Sequence, residues 1–183
     1  MSHPLLRLLV DPRPATPSLS IGLLVLRILS GGLMALHGAG KMVTPFTWMG
    51  AEAPVPGFLQ FLGAAAEFFG GLAWMVGLAT PLASLGVAGT MLVGILIAHI
   101  PMDDPFIRLS VMGLTTGPGE PFAGLPTWLV RAGGRSAGGS GSSELATLYT
   151  AVSVLLLSAG PGRFSLDTLL SQAREKKTPA VTG

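Results

Sequence analysis

Apolar residues in this chain gather into four long runs, and polar side chains interrupt those runs at very few positions. A helix needs about 20 apolar residues to cross a hydrocarbon core about 30 Å thick. The pattern predicts spans over about 19–38, 57–79, 82–100 and 144–159, the last one short. The second run is the most telling, because it is apolar from Gly57 to Ala79 except for one carboxylate, Glu67, near its middle. A carboxylate at that depth costs roughly 2.5–3.5 kcal/mol on insertion scales, so it needs a partner or a function. In the third run Gly86, Thr90, Gly94 and Ala98 recur at every fourth position, a smooth stripe for close helix contact. Pro101 then stops it.

The segments between the runs complete the layout. Gly38–Pro56 is a proline-bearing loop in which Trp48 suits an interfacial anchor, and Thr80-Pro81 makes a tight, uncharged turn. Met102–Ser143 forms a long external loop whose Gly133–Ser143 end is Gly/Ser-rich. Gly160-Pro161-Gly162 is a helix stop. Ser165 then reads as the N-cap of a short helix carrying Leu166, Leu169, Leu170 and Ala173 on one side. The expected fold is all-α: a four-helix transmembrane bundle with a long external loop between helices 3 and 4. Residues 1–18 form a cytoplasmic N-terminal segment, 19–170 the membrane domain, and 171–183 a basic cytoplasmic tail lying along the membrane face. A cleavable signal peptide competes for the first run, but Arg27 inside it and the lack of an A-x-A site favour a retained helix. Four spans put both termini on one side, where six Lys and Arg residues face four on the other; termini-in is the orientation this favours.

Composition sharpens this picture. Charged residues make up only 11% and hydrophobic residues 49%, with 26 glycines and a mean hydropathy of +0.63. A soluble domain carries about 25% charged residues. The sequence pI of about 9.5 accompanies a net charge of only +2 and no basic face, which excludes nucleic acid as a partner and leaves the lipid bilayer. There are no cysteines, so thiol redox chemistry, thiolate zinc and cysteine-held iron–sulfur clusters are excluded for this chain, and no haem motif is present.

The polar residues inside the spans are the candidate chemistry. Counting from the span ends at 38 and 57 places Arg27 and Glu67 at matching depth, which predicts a buried Arg27–Glu67 ion pair. Gly63, Glu67, Gly70, Gly71 and Trp74 fall on one helical stripe, with glycines that would admit a neighbouring helix or a flat ligand beside the carboxylate. His37 and Lys41 close the first span, His99 closes the third, Asp103 and Asp104 follow it, and Glu144 opens the fourth. Each has a plain structural reading: a buried ion pair, interfacial snorkelling, a helix-end hydrogen bond, a dipole-favoured acid. Gathered in one half of a bundle, they point to a polar ligand pocket. His37, His99, Asp104 and Glu144 offer N and O donors, but their spacing carries no metal signature, and no metal is expected.

These residues resemble the DoxX family of small bacterial membrane proteins. The resemblance is carried by Leu26-Arg27 and His37-Gly38-x-x-Lys41, by Glu67-x-x-Gly70-Gly71-Leu72 with Gly77-Leu78-x-Thr80, and by His99 with Asp104-Pro105-Phe106. Glu144-Leu145-Ala146-x-Leu148-Tyr149 and Gly160-Pro161-Gly162-Arg163-x-Ser165-Leu166-Asp167 extend it, so that it covers about residues 19–170 apart from an insert at 107–143. It implies a four-helix bundle in the bacterial inner membrane and a place in a redox system, since related proteins are subunits of a thiosulfate:quinone oxidoreductase. The expected function is therefore a membrane subunit of a quinone-linked oxidoreductase system, acting with quinone and a partner redox protein or as a homo-oligomer. In that reading Glu67, His37 and His99 form a proton relay, and Arg27, Lys41, Glu144 and Trp74 bind the ligand. The alternative is a non-catalytic membrane scaffold or assembly partner. A solute or proton pathway finds no continuous polar route in the inner halves of the second and third spans.

Overall fold

The computed structural model describes residues 16–50, 52–109, 124–132 and 141–177. Most of the expected N-terminal segment, the greater part of the 107–143 insert and the end of the basic tail therefore lie outside the described residues. Two compact units are present, one comprising Met1–Thr90 with Val152–Gly183 and the other Met91–Ala151.

Five α-helices are described. α1 (Pro17–Met42) begins where Thr16 accepts a hydrogen bond from the Leu19 N–H at 3.3 Å and Pro17 occupies the first turn, where its missing N–H costs nothing. It ends four residues beyond the expected boundary, with Lys41 in its last turn, where a cation suits the helix dipole. α2 (Gly57–Val76) stops at Gly77, whose φ of 68° is the left-handed conformation that glycine adopts without penalty. The Leu78 N–H bonds the Ala73 carbonyl at 2.9 Å, closing the end of the helix. α3 (Thr80–Gly94) passes into a π-helical segment, Ile95–His99, that ends just before Pro101. α4 (Glu144–Ala159) matches the expected fourth run at both ends. α5 (Leu166–Lys177) starts at the anticipated cap: Ser165 Oγ accepts from the Thr168 N–H at 3.2 Å.

The reach of these helices and the placement of their polar groups identify the solvent they are built for. Pro17–Met42, Gly57–Val76 and the continuous Thr80–His99 segment are long and apolar enough to cross a membrane, while Glu144–Ala159 is a shorter apolar helix. Leu29, Leu33, Leu36, Phe58, Leu82 and Leu96 are exposed, whereas Ser20, Arg27, Gln60, Glu67, Thr80 and Ser84 are buried. Apolar outside and polar inside is the arrangement that lipid favours and water does not.

Within the first unit α1 and α2 pack along glycines. A Cβ on Gly71 would lie 2.6 Å from the Gly31 carbonyl oxygen and 2.9 Å from Ala35 Cα, and one on Gly38 would lie 2.7 Å from Phe68 Cα. The other side of α2 meets α3, where Gly70 faces Val87 and Ala66 faces Gly86. Thr90 of the expected small-residue stripe faces Gly63, but Gly94 has open space beside it. Trp74, fully buried, donates its indole N–H to Ser84 Oγ at 2.9 Å and so pins α2 to α3.

The second unit contains a two-stranded parallel pairing, β1 (Ile107–Leu109) with β2 (Val130–Ala132), within what the hydropathy pattern marks as loop. Three-residue strands carry too little periodicity to be read in advance.

Candidate functional site

The glycine contacts fix the antiparallel register of α1 and α2, and the register decides which charges meet. Gly38 lies against Glu67 and Phe68, and Gly31 against Gly71 and Met75. Lys41 follows Gly38 by three positions, on the same face of α1, and long helical side chains lean back toward the N-terminus. Its ammonium therefore reaches down to Glu67, and Nζ donates to Oε1 at 2.5 Å.

The expected Arg27–Glu67 pair does not form. Arg27 lies about three turns nearer the N-terminus of α1 than the level of Glu67, beside Gly77 at the far end of α2. The ends of the two spans are not level, so residues counted equally far from them do not stand at equal depth. The 43–56 connection folds back over the first turns of α2 instead of capping both helices at one height. Trp48 donates to the Gln60 carbonyl at 2.9 Å, the Gln60 side-chain oxygen accepts from the Met49 N–H at 3.0 Å, and Gln60 Nε2 donates to the Val55 carbonyl at 2.9 Å. Phe46 stacks on Phe61, with ring centroids 5.3 Å apart. Gln60 is the organiser that hydropathy overlooks; the signal for it was an amide one turn after Pro56 in an otherwise apolar run.

The resulting site is compact. Glu67 is 2% exposed, the Lys41 side chain 18%, and the Lys41 ammonium stands 4.3 Å from the centroid of the Trp48 ring. The indole face adds a cation–π attraction to the ion pair, so Lys41 is held by two groups of different kinds. Only one carboxylate oxygen is used. Glu67 Oε2 is buried and has no hydrogen-bond partner among the described residues. A buried acceptor left unmade is costly, more so when it is charged, and its satisfaction calls for a donor.

Arg27 builds a different cluster. It is fully buried and its Nη2 donates to the Phe164 carbonyl at 2.5 Å. The Asp167 carboxylate accepts from the N–H groups of Ala79 and Thr80 at 2.7 and 2.9 Å, capping α3 from a residue far along the chain. The Asp167 N–H in turn bonds the Gly77 carbonyl at 2.9 Å. A Cβ at Gly77 would come within 2.9 Å of Arg27 Cζ, so glycine is required there twice over, for conformation and for space. Arg27 and Asp167 thus lock the α2–α3 turn to the segment that leads into α5.

The remaining candidates are dispersed. His37 is exposed on the same side of α1 as Leu29, Leu33 and Leu36, and Trp74 is occupied with Ser84. In the second unit His99 Nδ1 lies 3.0 Å from Asp104 Oδ2, Arg108 lies 3.6 Å from the other oxygen of Asp104, and Arg131 pairs with Asp103 at 2.6 Å. Glu144 is exposed in the first turn of α4, where the helix dipole favours it. No group of three or more potential metal ligands occurs among the described residues.

Comparison with known families adds one finding. Residues 22–100 match the family model described as DoxX, a stretch that holds Arg27, Lys41, Glu67 and His99 and stops before α4. No curated protein and no solved structure matches the chain.

Proposed function

Across residues 22–100 the chain is a DoxX-family membrane protein, and from that premise we propose that Lys41, Glu67 and Trp48 form the binding site of a quinone-linked redox subunit of the bacterial inner membrane. The observation that carries this is the orphan oxygen of Glu67. A buried carboxylate oxygen without a donor fits a ligand that brings an O–H, and a quinol headgroup does so. Lys41, with one N–H directed at Glu67, has further N–H donors for a ligand carbonyl or anionic oxygen.

When bound, a quinol would supply a two-electron, two-proton couple; this chain has no cysteine to hold a redox centre, so in this reading the electrons go to a partner redox protein. Glu67 Oε2 would accept a hydrogen bond from one quinol hydroxyl, and Lys41 would offset the carboxylate charge. Trp48 fixes the ammonium so that Glu67 keeps its position whether or not a ligand is present. Arg27 and Trp74 hold helices together and stand outside this site, and His37, His99 and Glu144 are not required by it. The chain spans four times in this reading, with α4 as the fourth crossing and both termini cytoplasmic.

Titration of the purified protein with a short-chain ubiquinol analogue tests the assignment. The expected result is saturable binding that Glu67→Gln weakens at least tenfold, the loss of a charge-assisted hydrogen bond of about 1.5–3 kcal/mol. Arg27→Lys leaves it within about twofold. Equal affinity in the parent and Glu67→Gln proteins removes the site. No binding by either favours the scaffold role instead.

A further inference from the structure

α5 is mounted inside out. Two of its polar residues face the protein: Asp167 caps the Ala79–Thr80 turn, and Thr168 Oγ1 donates to the Gly162 carbonyl at 2.9 Å. Its leucines face away, with Leu166, Leu169 and Leu170 exposed to 40%, 59% and 49% and Phe164 just before them to 52%. At 100° per residue Leu166, Leu169, Leu170 and Ala173 make one stripe less than a third of the circumference wide. In water such a stripe on a 12-residue helix is a liability.

Two observations say what covers it. The stripe follows a segment seated on the apolar exterior of α1: Ser20 Oγ accepts from the Arg163 N–H at 3.3 Å, and α1 carries exposed Leu19, Ile21 and Val25 beside Ser20 in sequence. The chain also follows the leucines with Arg174-Glu175-Lys176-Lys177, three basic residues and one acid, at the end of the helix. An apolar stripe bordered by basic residues is the pattern of a helix lying in the plane of a membrane interface. Basic residues beside a bilayer gain from anionic headgroups.

We propose that α5 is an in-plane interfacial helix that seats Leu166, Leu169 and Leu170 in the acyl–headgroup boundary and draws anionic phospholipid to its basic C-terminal end. Asp167 and Thr168 set its roll angle. With these two residues bonded to the body of the protein, the leucine stripe has one orientation, and that orientation is away from the helices and toward lipid. The coupling also runs the other way, because the carboxylate that orients α5 is the cap of α3.

The absence of cysteine in the chain makes a direct test available. Full-length protein with Leu169→Cys, Leu170→Cys or Gln172→Cys is labelled with an environment-sensitive fluorophore and reconstituted into phosphatidylcholine vesicles with or without phosphatidylglycerol. Gln172 is exposed off the stripe and serves as the reference. With phosphatidylglycerol, iodide is expected to quench the labels at 169 and 170 at least about threefold less than the label at 172, and brominated acyl chains to quench them more. Omitting phosphatidylglycerol, or combining Lys176→Gln with Lys177→Gln, is expected to lower that protection at least about twofold. Equal iodide access at all three positions overturns the proposal. So does protection unchanged in vesicles without phosphatidylglycerol, and so does protection that rises with protein density, which would place a second copy on the stripe.

Discussion

Gly71→Leu is expected to separate α1 from α2 and to cost the folded protein about 3 kcal/mol or more, at or above the upper end of ordinary overpacking. The reason is the absence of any give at the contact. The atoms nearest a new Cβ at Gly71 are the backbone of Gly31 and Ala35, not the end of a side chain that could swing aside. Relief requires the helices to move apart along their length, and that movement also unseats Gly38 from Glu67–Phe68. Thermal unfolding in a mild detergent is the measurement, with Gly40→Leu as the comparison, since nothing lies within 4 Å of a Cβ at Gly40. The comparison variant is expected to stay within about 0.5 kcal/mol of the parent. A Gly71→Leu protein as stable as Gly40→Leu would mean that the helices do not meet at these glycines.

The second large effect belongs to Lys41. Lys41→Met is expected to cost about 3–5 kcal/mol, the usual consequence of stripping the partner from a buried charge. Glu67 already has one oxygen without a partner, so the substitution leaves the whole carboxylate unsatisfied in an apolar setting. The sign reverses in the double variant: Lys41→Met with Glu67→Leu is expected to recover most of the loss, because a buried ion pair replaced by apolar groups of similar volume is close to neutral. Arg27→Met provides the contrast. Two of the three guanidinium nitrogens of Arg27 lack hydrogen-bond partners among the described residues, so its removal gives up less than its burial suggests. Denaturant unfolding of the four proteins in one detergent reads all of these values.

Elements were legible where the physics is local. The fourth apolar run was bounded at both ends, by a dipole-favoured Glu144 and by Gly160-Pro161-Gly162, and α4 has those limits. Ser165 was readable as a cap because a cap is a matter of three or four consecutive residues. Register was not legible. In a membrane span nearly every position is apolar, so hydropathy marks a segment without saying which residue stands opposite which. The glycines that do set the register were visible on α2, but choosing their partners on α1 needed the length of the 43–56 connection in three dimensions. That connection turns back over α2 through Gln60, and a three-turn offset followed, giving Glu67 to Lys41 instead of Arg27. The Asp167 cap of α3 was illegible for the same reason, its partners lying 87 and 88 residues away. The conformational need for glycine at Gly77 was hidden inside a run extended three residues too far, to Ala79.

The site follows from that register. Had Arg27 met Glu67, a bidentate pair could have satisfied both carboxylate oxygens and left a closed, structural lock. Lys41 offers a single ammonium, uses one oxygen, and leaves the other for a donor from outside. Lys41 and Glu67 both fall within residues 22–100, the stretch that the DoxX family model matches.

A double-mutant cycle on Glu67 tests the central claim most directly. Glu67→Gln is combined in turn with Lys41→Met and with Arg27→Met, and unfolding free energies are measured in one detergent. Residues in direct ionic contact couple by about 0.5–3 kcal/mol, and residues well apart couple by no more than about 0.3–0.5 kcal/mol. The Lys41–Glu67 cycle is expected to return at least about 1.5 kcal/mol and the Arg27–Glu67 cycle a value within error of zero. Strong coupling of Glu67 to Arg27, with none to Lys41, would contradict the register and with it the site.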